Sequence, residues 1–317
     1  MKQYDVVAIG ELNVDLILNR IKGEPQVGKE IFAEDMILTL GSSTAIFAAN
    51  IACLGSKTGF VGMIGKDVFG ELVEKSLSEK GVDTSMLIKS DTSSTGATIC
   101  LNYNEDRANV TYQGAMDIMS FEDIDKNVFT KTKHIHLSSV FMQSGIKKDL
   151  FEILKYAKDN NVTTSLDTQW DPNEKWDLDY EKILPYLNVF LPNETELKFL
   201  TNSETLEEAI KKIEPFINVC VVKRGREGSI LLQKGKEPVE LNAFLNDQVV
   251  DAIGAGDSFN AGFIHAFVKG VSAVDAQING NLTGAVNTTA AGGTGAFTSP
   301  DDVKKIAFER FNNDLII

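Results

Sequence analysis

The segment from Asp251 to Gly262 contains the residue types that are best suited to chemistry. Its three small residues, Gly254, Ala255 and Gly256, come directly before the apolar stretch FNAGFIHAFVKG, which predicts a helix. The free N–H groups at the start of a helix and the positive end of its dipole attract an anion. Because small side chains let a phosphate group approach the backbone, this pattern predicts a phosphate site.

Asp257 lies at the mouth of the predicted phosphate site, where its own charge would repel a bound phosphate. Its presence is explained if its carboxylate takes a proton from an attacking hydroxyl group, which is the task of a general base. The alternative is that Asp257 only caps the helix. For an isolated Gly-Ala-Gly-Asp sequence, the two interpretations are equally well supported.

The whole stretch resembles the C-terminal signature of the ribokinase-like (PfkB-type) carbohydrate and purine kinases, for which D-T-x-G-A-G-D-x-F-x-A-G is typical. The resemblance extends in order over essentially the whole chain, and it implies a kinase that uses ATP and Mg²⁺. It also implies that Asp257 is the catalytic base and that residues 254–256 form the anion hole. Ala252 and Ile253 depart from the usual threonines. Because family members often bind a monovalent cation near this loop, the departure leaves a K⁺ site at Asp251 open.

A second motif, at the end of the strand-like run NVFLPN, resembles the N-x-x-E motif of the family. There, Asn193 and Glu196 would organise Mg²⁺ and its waters. Mg²⁺ keeps several waters and touches few protein oxygens, so one Asn and one Glu are sufficient. The alternative is that Asn193 caps a helix whose dipole Glu194 or Glu196 complements. With the phosphate site downstream, we favour Mg²⁺.

Two further segments resemble the nucleotide-binding part of these kinases. Lys223, Gly225 and Gly228 match the K-x-G-x-x-G segment of the family, which lies beside the phosphates and the ribose. Asn281 and the glycine-rich segment 291–296 are similar to the helix and loop on the adenine side. The resemblance thus implies that ATP lies along the C-terminal half of the chain.

The N-terminal part resembles the sugar-binding side of the family less closely. Asp15 matches the position at which an Asp holds sugar hydroxyls, and a carboxylate accepts two such hydrogen bonds well. Gly41 and Ser42 begin a segment that is similar to the signature G-G-x-x-A-N-x-A-x-x-L-A-x-L-G. Ser42 replaces its second Gly, and Ile46 replaces its Asn. Because these positions usually touch the substrate, the identity of the sugar stays open.

The arginines bear on the charge of the substrate, because a carboxylate or phosphate is usually bound by a bidentate Arg. Of the five arginines, Arg224 and Arg226 lie in the expected nucleotide turn and Arg310 lies near the C-terminus. Only Arg107 and Arg20 remain for the sugar side. We therefore expect phosphorylation of a primary hydroxyl on a neutral, fructose-like hexose or keto-sugar.

Four alternatives stay open. Within the family, they are a 2-keto-3-deoxygluconate-type sugar acid gripped by Arg107, and a nucleoside. A sugar-sensing pseudokinase is the non-enzymatic alternative, but such a protein would be expected to lose Asp257 or the glycines before it, and all are present. A dehydrogenase is disfavoured because no G-x-G-x-x-G follows the first strand.

The scaffold that positions these residues is indicated by strand-like and helix-like segments that alternate along the chain. This alternation is typical of an α/β fold with a mainly parallel sheet. The resemblance implies one ribokinase-like three-layer α/β/α domain over residues 1–317. Strands are predicted at 4–10, 57–65, 133–138, 162–167, 187–191 and 217–223. Helices are predicted at 43–55, 67–81, 146–160, 194–213, 257–269 and 272–291.

Two segments, at about 12–40 and 90–114, read as alternating strands with no helix between them. Because such strands do not easily join a doubly wound parallel sheet, we assign them to a small separate sheet. We expect this sheet to form a lid over the C-terminal ends of the main strands, where open α/β sheets bind their ligands. We further expect a homodimer that associates through the lid.

The composition disfavours several classes of partner. The net charge of −14 argues against nucleic acids and anionic membranes, both of which bind clustered Lys and Arg. The three cysteines have no metal-ligand spacing, and the first apolar run is too short for a signal peptide. A small-molecule sugar is therefore the expected partner, and the cytoplasm is the expected location.

Overall fold

The structure, a computed structural model, describes residues 2–103 and 106–317, without the side chains of Asp106 and Arg107. The strands are β1 (Tyr4–Ile9), β2 (Asn13–Asn19), β3 (Asp35–Leu40), β4 (Thr58–Val61), β5 (Met63–Gly65), β6 (Ile88–Ser90), β7 (Gly96–Tyr103), β8 (Asp106–Tyr112), β9 (Thr132–Ser138), β10 (Thr163–Asp167), β11 (Val189–Phe190), β12 (Val219–Lys223), β13 (Ser229–Gln233) and β14 (Val239–Leu241). The helices are α1 (Ser43–Cys53), α2 (Val68–Glu79), α3 (Ala115–Ile118), α4 (Val128–Lys131), α5 (Ser144–Asp159), α6 (Tyr180–Ile183), α7 (Glu194–Leu200), α8 (Leu206–Ile213), α9 (Ala255–Val268), α10 (Ala273–Asn287) and α11 (Pro300–Phe311).

Eight of the strands form a large sheet in the order β14-β13-β12-β11-β10-β9-β1-β4. From β4 to β12 every neighbouring pair is parallel, whereas β13 and β14 add an antiparallel edge. Parallel strands place their carboxyl ends at one edge of a sheet. The residues that follow β1, β9, β10, β11 and β12 therefore meet at the same edge.

Helices cover the large sheet on both faces, and strand β1 shows why. Its residues Val6 and Ala8 belong to an apolar cluster with Phe263 of helix α9. Val7 and Ile9 belong to a second cluster that includes apolar residues of helix α5. Because successive residues of a strand point to opposite faces, a continuous apolar strand such as β1 is buried on both sides.

The small sheet has four strands in the order β3-β2-β7-β8, in which only β2 and β7 are parallel. The register places Asp15 beside Thr98 on one face. On the opposite face, Leu38, Ile99 and Val110 are exposed. The small sheet thus has one polar face and one apolar face that is open to solvent.

The expectation of a three-layer α/β fold with a mainly parallel sheet and a separate small sheet is confirmed. Two predicted elements are wrong in detail. The strand expected over 57–65 is divided at Gly62, and its second half, β5, pairs with β6 in a two-stranded sheet. The helix expected over 194–213 is divided by a turn in which Asn202 has a φ of +47°. No helix in the described part of the chain is long and apolar enough to cross a membrane.

Candidate active site

Helix α9 begins at the carboxyl edge of the large sheet and carries Asp257 in its first turn. Its N-cap is Gly254, whose φ of +75° lies in the left-handed region that favours glycine. Asp257 is the third helical residue and is only 6% exposed. Asp257 is therefore not the N-cap, and the alternative that it caps the helix is wrong.

The expected anion hole is formed in part. The N–H of Ala255 donates to the carbonyl oxygen of Ala252 at 3.2 Å, so it is not free to bind a ligand. For the N–H groups of Gly256 and Asp257, the described residues provide no backbone acceptor. These two N–H groups at the start of helix α9 are the donors that a phosphate could meet.

A second glycine loop packs against the first. A Cβ atom added to Gly254 would lie 2.6 Å from Cα of Gly293, and one added to Gly293 would overlap the side chain of Ile46. Ile46, which was expected on the sugar side, thus contacts both glycine loops. Asp251 also joins them, because its carboxylate accepts hydrogen bonds from the N–H groups of Ile253 and Gly292, both at 2.9 Å.

A buried ion pair lies beside the anion hole. Lys223, the last residue of β12, donates from Nζ to Oδ2 of Asp167 at 2.5 Å. Asn260 of helix α9 donates to the same oxygen atom. The Nζ atom of Lys223 lies 3.7 Å from where a Cβ atom on Gly256 would stand. Burial alone would lower the pKa of Lys223, but the negative charges of Asp167, Glu196 and Asp257 raise it above its ordinary value.

The environment of Asp257 favours its neutral form. Burial raises the pKa of its carboxyl well above the ordinary value, and the negative charges of Asp167 and Glu11 raise it further. The positive charge of Lys223 and a hydrogen bond from Gln169 act in the opposite direction. This hydrogen bond runs from Nε2 of Gln169 to Oδ1 of Asp257 at 2.8 Å. Perturbed carboxyls of this kind are typical of catalytic sites.

Asn193 and Glu196 form a reciprocal cap at the start of helix α7. The N–H of Glu196 donates to Oδ1 of Asn193 at 2.8 Å, and the N–H of Asn193 donates to Oε2 of Glu196 at 3.0 Å. Burial and the charge of Asp167 raise the pKa of Glu196 to about 7, against the lowering effect of Lys223. Asn193 therefore caps helix α7, as the alternative interpretation of the motif predicts. A carboxylate has lone pairs left for water, so the same pair can also serve a hydrated cation.

The polar face of the small sheet meets the start of helix α1. A Cβ atom on Gly41 would lie 2.6 Å from Nδ2 of Asn13 and would overlap the carboxylate of Asp15. Ser42 has a φ of +73°, which explains why glycine is usual at this position. Its hydroxyl caps helix α1 and donates to the carbonyl oxygen of Glu11 at 2.7 Å. Arg107 lies in β8, but its side chain is outside what the structure describes.

The remaining expected nucleotide residues lie farther along the same edge. Gly225 has a φ of +55° and open space around it, whereas Gly228 has a φ of +90° and packs against the backbone of residues 241–243. Asn281 of helix α10 accepts a hydrogen bond from Ser229 at 3.1 Å. Within the described residues, its hydrogen bonds do not reach the loop before helix α9.

Sequence reasoning missed several residues of this site. The stretch 167–171, which contains Asp167 and Gln169, was expected only to border the substrate. Glu11 and Asn260, the latter within the segment from Asp251 to Gly262, were given no role of their own. Asp167 could have been found from its position, because a charged residue at the end of a buried strand lies at the ligand-binding edge of a parallel sheet.

Comparisons with known proteins agree with this arrangement. Residues 3–300 match the sequence profile of the family described as "pfkB family carbohydrate kinase". A sugar kinase of Archaeoglobus fulgidus is 31% identical over 73% of this chain and 91% of its own length. A 5-dehydro-2-deoxygluconokinase of Lacticaseibacillus casei is 28% identical over 84% of both chains. The Arabidopsis thaliana ribokinase complexed with ribose and ATP superimposes with a TM-score of 0.82 at 25% identity, over 96% of this chain and 98% of the ribokinase.

Proposed function

Because this chain belongs to the pfkB family of carbohydrate kinases, we propose that it transfers the γ-phosphate of ATP to a primary hydroxyl of a small sugar, with Asp257 as the base. The observation that carries this proposal is the position of Asp257. Its buried carboxyl stands in the first turn of helix α9, beside the free N–H groups of Gly256 and Asp257 itself. A base and an anion site thus lie within one helical turn.

The residues at this edge have separate tasks in the reaction. Phosphoryl transfer depends mainly on positioning and on neutralising charge. The N–H groups of Gly256 and Asp257 bind the transferred phosphate, and Lys223 contributes positive charge next to Gly256. The carboxylate of Asp257 accepts the proton of the sugar hydroxyl as the hydroxyl attacks. The small sheet acts as a lid that excludes water, which favours transfer to the sugar over hydrolysis.

The donor atoms of the site fit a magnesium nucleotide. Asn193 and Glu196 provide an amide and a carboxylate oxygen close to Lys223, and they would hold Mg²⁺ through its waters. Mg²⁺ supplies positive charge to the phosphates of ATP. The nucleotide would extend from the anion hole along Gly225, Gly228 and Asn281. A K⁺ ion at Asp251 stays a proposal of lower rank, because both oxygens of that carboxylate already accept backbone N–H groups.

Two classes of sugar are candidates for the substrate. The sequence led us to expect a neutral keto-sugar, and the polar face of the small sheet, with Asp15 and Thr98, suits hydroxyl groups. The names of the relatives favour a sugar acid instead, since they include 5-dehydro-2-deoxygluconokinases and a Bacillus subtilis 2-dehydro-3-deoxygluconokinase, which is 26% identical over 92% of this chain and 91% of its own length. On this support we rank the sugar acid first.

The experiment that tests the function is a measurement of ADP release with a panel of neutral sugars, sugar acids, sugar phosphates and nucleosides. A sugar or sugar acid as the best substrate supports the proposal, whereas a nucleoside or the absence of turnover refutes it. The Arg107→Ala variant then separates the two sugar classes. If Arg107 binds a carboxylate, the variant raises KM for the acid and leaves KM for a neutral sugar unchanged.

We also propose a homodimer that forms through the apolar face of the small sheet. Leu38, Ile99 and Val110 are exposed on adjacent strands of that face. Contiguous exposed apolar patches of this kind are typical of protein interfaces. Sedimentation at micromolar concentration should show a species of twice the chain mass of 34.7 kDa, and a monomer would refute this interface.

A further inference from the structure

The loop that follows β10 brings one more side chain to the base. Gln169 lies two residues after Asp167, and its φ of +58° lies in the left-handed region. Its amide Nε2 donates to Oδ1 of Asp257 at 2.8 Å and to Oδ2 of Asp167 at 3.2 Å. One amide group therefore links the carboxylate of helix α9 to the carboxylate at the end of β10.

We propose that Gln169 is a positioning residue for the base, because its amide group orients the carboxylate of Asp257 and stabilises its negative charge. This role rests on the proposed function, in which Asp257 accepts the proton of the sugar hydroxyl. It assigns a task to a residue that lies outside the glycine motif and 88 positions away from Asp257 in the sequence.

The hydrogen bonds of the two carboxylates determine the orientation of Asp257. Among the described residues, Gln169 provides the only side-chain hydrogen bond to Asp257, and it uses Oδ1. Oδ2 of Asp257 is thereby left for the substrate hydroxyl. The second carboxylate that Gln169 contacts, that of Asp167, is held in place by further hydrogen bonds. It accepts them from Lys223, from Asn260 and from the backbone N–H of Gln169. Without the amide, the broad torsional minimum of an Asp side chain would let the carboxylate rotate.

The ionisable groups that face Asp257 lie at or just after the ends of three strands of the large sheet. Asp167 ends β10 and Glu11 follows β1, and both are acidic; Lys223 at the end of β12 is the basic group. Glu196 of helix α7 acts on Lys223. Burial is the largest cause of the raised pKa of Asp257, and the carboxylates of Asp167 and Glu11 raise it further. Lys223 and the amide of Gln169 oppose it. A general base must be ionised to accept a proton, so the amide supports the active form.

The test replaces Gln169 by Met, which has a similar length and no donor. A hydrogen bond to a charged group shifts an equilibrium roughly tenfold, so the acid limb of the kcat–pH profile should move up by about one pH unit. At pH values below the wild-type midpoint, kcat should fall roughly tenfold, while KM for ATP and for the sugar changes by less than about twofold. The matched control is Gln248→Met, at an exposed position outside the site; it should leave the profile unchanged.

A second measurement does not depend on turnover. The carboxyl carbon of Asp257 is titrated by ¹³C NMR in the substrate-free protein and assigned by its loss in Asp257→Asn. Its midpoint should rise by about one pH unit in Gln169→Met. If Gln169→Met does not fold, Gln169→Asn replaces it, because Asn tolerates a left-handed φ and is one methylene too short to reach Asp257. An unshifted midpoint in the folded variant overturns the role of Gln169, whereas a wild-type protein that phosphorylates no sugar overturns the proposed function.

Discussion

Replacing Asp257 by Asn separates catalysis from stability, and the two should change in opposite directions. The substitution keeps the size of the side chain, and the new amide oxygen can still accept the hydrogen bond from Gln169. It removes the proton acceptor, however. A positioned base contributes about 10²–10⁴-fold to the rate, which corresponds to about 3–5 kcal/mol of activation free energy. We therefore expect kcat to fall by this factor while the affinity for ATP is kept or slightly improved.

The stability should rise because a buried charge is lost. The pKa of Asp257 in the folded protein is raised by burial and by Asp167 and Glu11, so protonation favours folding. The contribution of Asp257 to stability is thus largest below its unfolded pKa and is lost as the pH rises through the folded pKa. An Asn side chain carries no charge, so its burial at this position does not have this electrostatic cost. At pH 8, the variant should be more stable than the wild-type protein. The lost attraction to the helix dipole offsets only about 0.3–1 kcal/mol of this gain.

The assays are steady-state ADP release and urea unfolding at pH 5 and pH 8. The stability difference between variant and wild type should be larger at pH 8 than at pH 5. Asp247→Asn makes the same chemical change in an exposed loop and should alter neither kcat nor the pH dependence. A loss of kcat below tenfold would refute Asp257 as the base, and an Asn variant that is less stable than wild type at pH 8 would refute the electrostatic description of the site.

Three further predictions concern the surroundings of the base. Glu196→Gln should raise the Mg²⁺ concentration required for half-maximal activity, and a wild-type Mg²⁺ dependence would leave Glu196 with only its capping role. Gly293→Ala should destabilise the protein by about 1–3 kcal/mol, because the added methyl overlaps the side chain of Ile46; an unchanged urea midpoint would contradict the close contact. Amide hydrogens in residues 12–40 and 90–114 should exchange faster than those of the large sheet and slow when sugar binds. Equal protection in both states would contradict the lid.

The order of the main strands and helices could be predicted because each element carries a local signal. Strand β1 contains the continuous apolar run 6–9, and helix α2 begins after the capping residue Asp67. The points at which a predicted strand or helix is divided in two are harder to predict from the sequence. Gly62 lies between β4 and β5, and a side chain there would meet the side chain of Leu12 and the backbone of Gly10. That crowding is a tertiary contact, so periodicity does not reveal it.

The site could be predicted only where it is contiguous in sequence. The loop before helix α9 was recognised because a glycine turn, a helix start and Asp257 lie within four residues. The contacts that set the charge of that residue span much greater distances: 56 positions separate Lys223 from Asp167, and 88 separate Gln169 from Asp257. Ile46 shows the same limit. Its type suggested a lost contact with the sugar, but the fold brings it to the glycine loops.

The charged groups of the site come from both strands and helices, which bring them close together. Asp257 and Glu196 are buried near Asp167, and Lys223 is the one positive group that acts on all three carboxyls among the described residues. Such an arrangement costs folding free energy, since burying a carboxylate without full compensation is unfavourable. The apolar clusters on both faces of the parallel sheet contribute folding free energy that offsets this cost. They also hold the strand ends in register despite the charges there. The repulsion between the carboxylates therefore persists in the folded protein. It favours protonation of Asp257 and the binding of a cation by the neighbouring carboxylates.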